Sequence, residues 1–382
     1  MFQTPSRILL CVAALSGAVP SARAQDLLIG QVSSQTSPVT AVNAKGLYAG
    51  FNVYLDAVNA KGGVRGRKVK LVNKDDQLAP GKMTEMTRDF IADKNILALA
   101  AYQNTGGITE LAKLNVAGNA GIAMIAPFQG DKSIVSAPNF FPFRSGYPDE
   151  VEALIKEAFF TQKKKVVVVY QGATFGPAMM KLAQDVSKTV GLNVVAYVKM
   201  DNAAQAKIDA VIRDVVAAVA KANPDAVILL LGGKPAPELV KQIKNSAAAD
   251  AQVYLMSIVP PTDVIKTLGE AKARGIVISQ AVHFPFSATL PLVDEYQKAM
   301  KQYAPNEPLS YSTLEGFVDA KIAVEALKRA GPKPTREKVL KALINMGELD
   351  LGGVYVDYSP KARNGWGQVD LTVIGPGGKL LR

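Results

Sequence analysis

Residues 165–170 read KVVVVY, four consecutive valines closed by a tyrosine. β-Branched side chains crowd a helix and suit a pleated strand. An unbroken apolar run of this length belongs to a strand buried on both faces, as in a parallel sheet covered by helices. The surroundings repeat the pattern. Downstream, the spacing predicts helices over 176–190 (closed by Gly191), 205–222 and 238–248. Strands alternate with them at 192–198, 226–231 (AVILLL), 253–257 and 276–278. Upstream lies a second series: a strand at 27–32 (LLIGQV), a helix over about 45–59, and a strand at 68–72 (KVKLV). A helix from Pro80 to Asp93 follows, then a strand at 96–101, a helix over 107–118 and a strand at 122–126. Leu47, Phe51, Leu55 and Val58 share one face of the first helix, and Met83, Met86, Phe90 and Ile91 point inward from the second. Gly62-Gly63 ends the first helix. Two such series predict an α/β protein with two doubly wound parallel-sheet lobes. The aromatic, aperiodic stretch 140–148 (FFPFRSGYP) marks the join, and 283–286 (HFPF) is a comparable segment. A long helix over 312–330 and short strands at 354–358 and 368–374 complete the chain.

The first 24 residues read differently. Arg7 precedes an apolar run at 8–19 (ILLCVAALSGAV), Pro20 breaks it, and Ala22-Arg23-Ala24 forms a small-residue cleavage site. This is the layout of a secretory signal, with cleavage expected after Ala24. A buried N-terminal helix is the other reading. The run is too short to span a bilayer, which takes about 20 apolar residues. Cys11, the only cysteine, falls inside this run, so no disulfide is available to the exported chain and packing must stabilise it. The formal net charge is +11; losing Arg7 and Arg23 with the leader lowers it by two, to +9. The cationic residues are scattered, and the densest cluster, Lys163-Lys164-Lys165, fits a solvated turn before a strand. A nucleic-acid partner is not expected.

The chemistry that is missing narrows the function. Without a cysteine beyond Cys11, thiolate catalysis and thiolate metal sites are excluded from the exported chain. His283 is the only histidine, so a histidine-rich metal site is excluded as well, and its aromatic, proline-containing setting fits packing better than acid–base work. No P-loop, dinucleotide fingerprint or nucleophile elbow occurs. The expectation is a non-enzymatic protein with no metal and no cofactor.

In open α/β sheets ligands bind beyond the carboxyl ends of the strands. After 96–101 comes Tyr102-Gln103-Asn104-Thr105-Gly106-Gly107, a polar run leading into a helix whose N-terminal N–H groups favour an anion. Thr105 reads equally as a plain helix N-cap. After 122–126 come Phe128, suited to an apolar ligand body, and Gln129, suited to hydrogen bonding, followed by Gly130. Gln35 lies in the polar loop after the first strand. In the second lobe, residues 172–176, 232–234 and Ser257 take the equivalent strand ends. The recurrence of polar loops at successive strand ends predicts a cleft for a small ligand between the lobes.

These segments together resemble the leucine/isoleucine/valine-binding type of periplasmic solute-binding proteins of ABC importers. Residues 56–66 (DAVNAKGGVRG) match the family's segment after its first helix. Lys74-Asp75-Asp76 with Pro80, residues 123–127 (AMIAP), Phe175-Gly176, residues 225–227 and Pro237-Glu238-Leu239 follow in the family's order. The resemblance covers nearly the whole exported chain. It implies a type I periplasmic binding fold with three crossings between lobes, near Ser145, Ala281 and Gly352. Lobe one would comprise 26–144 and 281–351, and lobe two 145–280 and 352–382. It places a ligand carboxylate on Tyr102, Gln103 and Thr105 and on the backbone of Phe128 and Gly130, with Phe175 closing from lobe two. The full expected ligand set is Gln35, Tyr102, Gln103, Asn104, Thr105, Phe128, Gln129, Gly130, Phe175 and Ser257. The family's acidic residue after a late lobe-two strand has no counterpart in 254–259 (YLMSIV). A buried ammonium without a counter-charge is costly, so an uncharged or monoanionic ligand suits the cleft at least as well as an amino acid, and the expected ligand is a small carboxylate, an aromatic acid or an amino-acid-like solute. The implied setting is the periplasm, as a monomer that closes by a hinge and delivers its solute to an ABC permease in the inner membrane. A ligand-sensing subunit of the same fold, taking an amide or other small molecule and feeding a signalling partner, is the alternative. An exported α/β enzyme is the third reading.

Overall fold

The computed structural model describes residues 25–172, 176–201, 205–359 and 365–382. The expected leader at 1–24 and Phe175 lie outside them. The first lobe opens with β1 (Leu27–Ser33), α1 (Ala41–Ala60), β2 (Val69–Asp75), α2 (Lys82–Ala92), β3 (Ile96–Ala100), α3 (Thr105–Lys113), α4 (Val116–Ala120), β4 (Met124–Ile125), α5 (Lys132–Ser136) and β5 (Phe140–Phe141). The second follows with α6 (Tyr147–Phe160), β6 (Val166–Gln171), α7 (Gly176–Val190), β7 (Val194–Met200), α8 (Gln205–Ala222), β8 (Ala226–Leu230), α9 (Pro235–Ile243), β9 (Gln252–Leu255), α10 (Pro261–Leu268), α11 (Glu270–Ala273) and β10 (Val277–Gln280). The chain then returns through α12 (Pro291–Tyr303), α13 (Tyr311–Arg329), α14 (Arg336–Ile344), β11 (Glu348–Asp350) and β12 (Tyr355–Asp357). It ends with β13 (Asp370–Ile374) and β14 (Leu380–Leu381).

The valine run behaves as its composition demands. Val166 and Val168 enter one apolar cluster and Val167 and Val169 another, all four fully buried. A period of two with both faces covered is what a central parallel strand requires, and each buried valine contributes roughly 2 kcal/mol. β3 in the first lobe is likewise covered on both faces, with Leu97, Ala98 and Ala100 in one core and Ile96 and Leu99 in the other. The first sheet runs β2-β1-β3-β4-β5, all parallel. The second runs β14-β13-β10-β9-β8-β6-β7, and its parallel part repeats the same winding. Each sheet therefore reverses winding once, between β1 and β3 and between β6 and β8. These are the switch points at which such sheets open a crevice.

Helices α1 and α13 pack backbone to backbone. A Cβ on Gly50 would lie 1.8 Å from the Thr313 carbonyl oxygen, and one on Gly316 would lie 2.1 Å from that of Leu47. This contact carries the N-terminus of α13 to the cleft.

Several boundaries differ from the sequence reading. The helix expected over 107–118 is two helices, because Asn115 takes a left-handed φ of 49°. The aperiodic join hides the start of α6, whose Val151, Leu154, Ile155 and Ala158 are buried. The lobes are joined by three neighbouring segments: Ser145 N–H donates to the Ala281 carbonyl (3.1 Å), and Trp366 N–H to the Phe143 carbonyl (2.7 Å). The third crossing therefore comes after Tyr358 rather than near Gly352. Val354, Val356 and Tyr358 are sealed in the first lobe's core, where Tyr358 meets Phe141 edge-on at 5.5 Å.

Candidate functional site

An outer chamber of about 530 Å³ lies between the lobes at the two switch points. Residues 103–107 and the 78–81 turn form its first wall. Gln171, Gly232, Gly233 and Ile258 form the second. Polar contacts cross between the lobes around it. Asn43 Nδ2 donates to the Ile258 carbonyl (3.2 Å), and the Thr105 and Tyr147 hydroxyls lie 3.4 Å apart. A Cβ on Gly233 would fall 2.6 Å from Val39, so the two walls close tightly there.

The first wall is built by a network around Asp76, which is 1% exposed. Its carboxylate accepts from Ser34 Oγ, Leu78 N–H (3.0 Å) and Asn104 Nδ2 (2.7 Å). Asn104 Oδ1 in turn accepts from Gly107 N–H (3.2 Å). Asn104 is therefore the N-cap of α3, and Thr105 is its first residue with its side chain beyond the capping role. The opening N–H groups of a helix lack intrahelical acceptors, and those of Thr105 and Gly106 belong to residues on the chamber wall. Gln103 also lines the wall, with its Oε1 taking the Ser34 N–H (3.3 Å). Ala101 and Ala126, which directly follow β3 and β4, hold left-handed φ values of 51° and 44°. Such backbone strain costs on the order of 1 kcal/mol each and turns both loops over the cleft.

The structure redistributes the other expected residues. Tyr102 is wholly buried in the first lobe's core, its hydroxyl 3.3 Å from Thr87 Oγ1 and its carbonyl taking the Phe128 N–H (2.8 Å). It does not reach the chamber, and burial pushes its phenol pKa up. The Phe128 N–H is consumed by that same bond, whereas the Phe128 ring lines the chamber. Gln129 is 1% exposed and ties Thr105 O (3.1 Å) to Thr109 Oγ1 (3.0 Å), so it braces α3 instead of facing solute. Gly130 packs under Tyr147, where a Cβ would lie 2.7 Å from the ring, and its carbonyl takes the Tyr147 N–H. Gln35 stands outside the chamber's lining, with a buried Nε2 that has no partner among the described residues. His283 packs edge-on against Trp366 at 5.8 Å, and burial lowers its pKa, in keeping with a packing role at the crossings. Among the described residues, no three His, Cys, Asp or Glu side chains are grouped to hold a metal.

The model of the family described as periplasmic binding protein matches residues 27–378. The chain belongs to that family. In fold it is similar to an extracellular ligand-binding receptor from Verminephrobacter eiseniae, at a TM-score of 0.85 and 26% identity over 94% of this chain and 100% of that one. A Leu/Ile/Val-binding protein homolog from Brucella suis is 21% identical over 93% of this chain and 89% of its own length. A branched-chain amino acid ABC transporter structure from Thermus thermophilus with bound valine aligns at a TM-score of 0.79 and 19% identity, covering 94% and 95%. The resemblance to the leucine/isoleucine/valine-binding type and the type I fold expected from the sequence are thus borne out. The family is of solute-binding type and periplasmic. No helix among the described residues is long and apolar enough to cross a membrane.

In this periplasmic binding protein, sequence reasoning missed the residues at the crossings. Ser257 was expected to face the ligand, and it does line a second, inner chamber. Behind it stands Glu150 of α6, which takes the Ser257 N–H (2.8 Å), the Ser257 hydroxyl (2.9 Å) and the Ser279 hydroxyl (2.6 Å). Arg144, in the first crossing, donates from Nη2 to Ser257 Oγ (2.6 Å) and lies 3.9 Å over the Phe128 ring. A lone arginine inside the aromatic stretch 140–148 was the available signal.

Proposed function

We propose that the protein is the substrate-binding component of an ABC importer, exported through cleavage after Ala24, and that it is not an enzyme. It captures a small carboxylate or amino-acid-like solute between its lobes and presents the closed form to an inner-membrane permease. The observation that carries this reading is the outer chamber at the switch points of both sheets, with the open N-terminus of α3 on its wall. That terminus favours an anionic group. Gln103 and Thr105 orient the solute, the Phe128 ring covers its apolar part, and Phe175 closes from the second lobe. Contacts such as Asn43 to Ile258 and Thr105 to Tyr147 stabilise the closed arrangement, so a solute that bridges the walls shifts the population toward it.

The test is a thermal-shift screen of amino acids, aromatic acids, short fatty and hydroxy acids, and amides. One class raises the melting temperature, because a ligand at 100 times its Kd stabilises by about 2.7 kcal/mol. If nothing in the panel shifts it and no small molecule copurifies, the reading fails.

A further inference from the structure

The inner chamber, about 60 Å³, adjoins the outer one and shares Asn43 and Phe128 with it. Arg144, Ser257, Phe286 and Glu315 complete the part of its wall that matters here. Four ionisable side chains meet beside it: Arg144, Glu150, and Glu315 and Asp319 from successive turns of α13. None is more than 5% exposed. Glu150 is satisfied by its three donors, and Arg144 is the one cation set against three carboxyl groups. That leaves two carboxyl groups with little support. Glu315 Oε1 is 3.6 Å from Arg144 Nη1, and among the described residues neither Asp319 oxygen has a hydrogen-bond partner, nor do Arg144 Nε and Nη1.

Two uncompensated negative charges cannot persist in a desolvated chamber; each needs a proton or a cation. Asp319 is away from the chamber wall, and burial together with Glu315 raises its pKa well above the usual carboxylate range against the pull of Arg144, which favours its protonated form. Glu315 is on the wall. Burial raises its carboxyl, Arg144 opposes and Glu150 adds, leaving it at about 7. The other groups facing this cluster, the phenols of Tyr147 and Tyr358, are pushed up by burial and remain protonated.

We propose that the inner chamber is a cation subsite, in which a protonated amino group of the solute pairs with the Glu315 carboxylate and displaces the proton held there in the empty protein. The exchange balances: the carboxylic acid of Glu315 becomes a carboxylate, its proton leaves to solvent, and no bond of the solute is made or broken. The Phe128 and Phe286 rings on the wall suit a cation's apolar neighbours. An anionic group would add to the carboxylate excess, since three carboxyl groups already face the single Arg144. This inference rests on the reading of the cleft as a solute site and names the chemistry that site selects.

The experiment is titration calorimetry on the full exported chain with three pairs of probes: leucine and 4-methylpentanoate, 5-aminopentanoate and hexanoate, phenylalanine and 3-phenylpropanoate. Each is run from pH 5.5 to 8 in two buffers of different ionisation enthalpy. At pH 8 an amine binds at least about tenfold more tightly than its des-amino partner. Its affinity falls by up to about tenfold per pH unit below 7, with close to one proton released per solute at pH 6. Glu315→Gln, which mimics the protonated carboxyl, removes both the preference and the proton release. The wild-type pH series stands independently of that variant's folding. A des-amino acid that binds as well as its amine, or an amine that binds without proton release, overturns the subsite and leaves the receptor reading intact. Failure of all three amines to bind overturns it too, and the receptor reading then rests on the wider screen.

Discussion

The two chambers of the cleft are held by opposite means. The outer wall is a short-range lattice of loop amides and capped helix ends hung on one buried carboxylate, Asp76, whose three donors sit at 34, 78 and 104. The inner chamber is a knot of buried charge assembled from positions 144, 150, 257, 279, 315 and 319. A lattice of hydrogen bonds fixes geometry and is indifferent to pH near neutrality. A charge knot with more carboxyls than cations is not, because its members must trade protons. The outer chamber is thus suited to shape, and the inner one to charge.

Removing the cation should show the difference most strongly. Arg144→Met leaves Glu150 and Glu315 buried without a counter-charge, and costs about 3–5 kcal/mol in denaturant unfolding at pH 7.5. The loss shrinks at pH 5, where Glu315 takes a proton. An equal loss at both pH values would mean that the arginine acts by packing alone. Asp76→Ala breaks the outer lattice and costs about 2 kcal/mol, the worth of hydrogen bonds to a charged acceptor, and weakens solute binding.

Glu315→Gln sharpens the comparison through sign. Burial raises the Glu315 carboxyl to about 7, well above the ordinary range of a glutamate. The folded protein therefore binds the proton that the unfolded chain has lost. Stability from this group is full below about pH 4.5 and is lost as pH rises through 7, at about 1.4 kcal/mol per pH unit at its steepest. Ligand-free wild type should lose stability against the Gln variant over that window; parallel curves would contradict the charge count. The smallest effect is Thr105→Ala. Its contact with Tyr147 is 3.4 Å long, so stability changes by less than about 0.5 kcal/mol, while solute affinity falls several-fold. Unchanged affinity would move the site away from α3.

The same contrast explains what was legible in the sequence. The strands were legible because a period of two, or an unbroken valine run, is a local signal, and the strand ends with their polar loops followed from them. Gln103, Asn104, Thr105 and the Phe128 ring came to the cleft wall on that basis. Tyr102 did not, because the chain swings left-handed at Ala101, just past β3, and the Tyr102 side chain enters the core beside Ile96 and Leu99, and no local feature marks Ala101 as that residue. Asp76 was visible only as part of a matched segment, since its function depends on three loops meeting. The hinge cluster was hidden further. Glu150 and Ser279 are 129 positions apart, and α6 begins inside an aperiodic aromatic stretch. The third crossing was misplaced for a related reason: alternation at 354–358 reveals a strand but not the lobe against which it packs.

Capture of a solute between the two lobes is tested most directly by hydrogen exchange with and without a ligand from the screen. Protection should rise together at residues 104–107 of the first lobe and at residues 232–233 and 257–258 of the second. Protection confined to one lobe, at saturating ligand, would contradict the account.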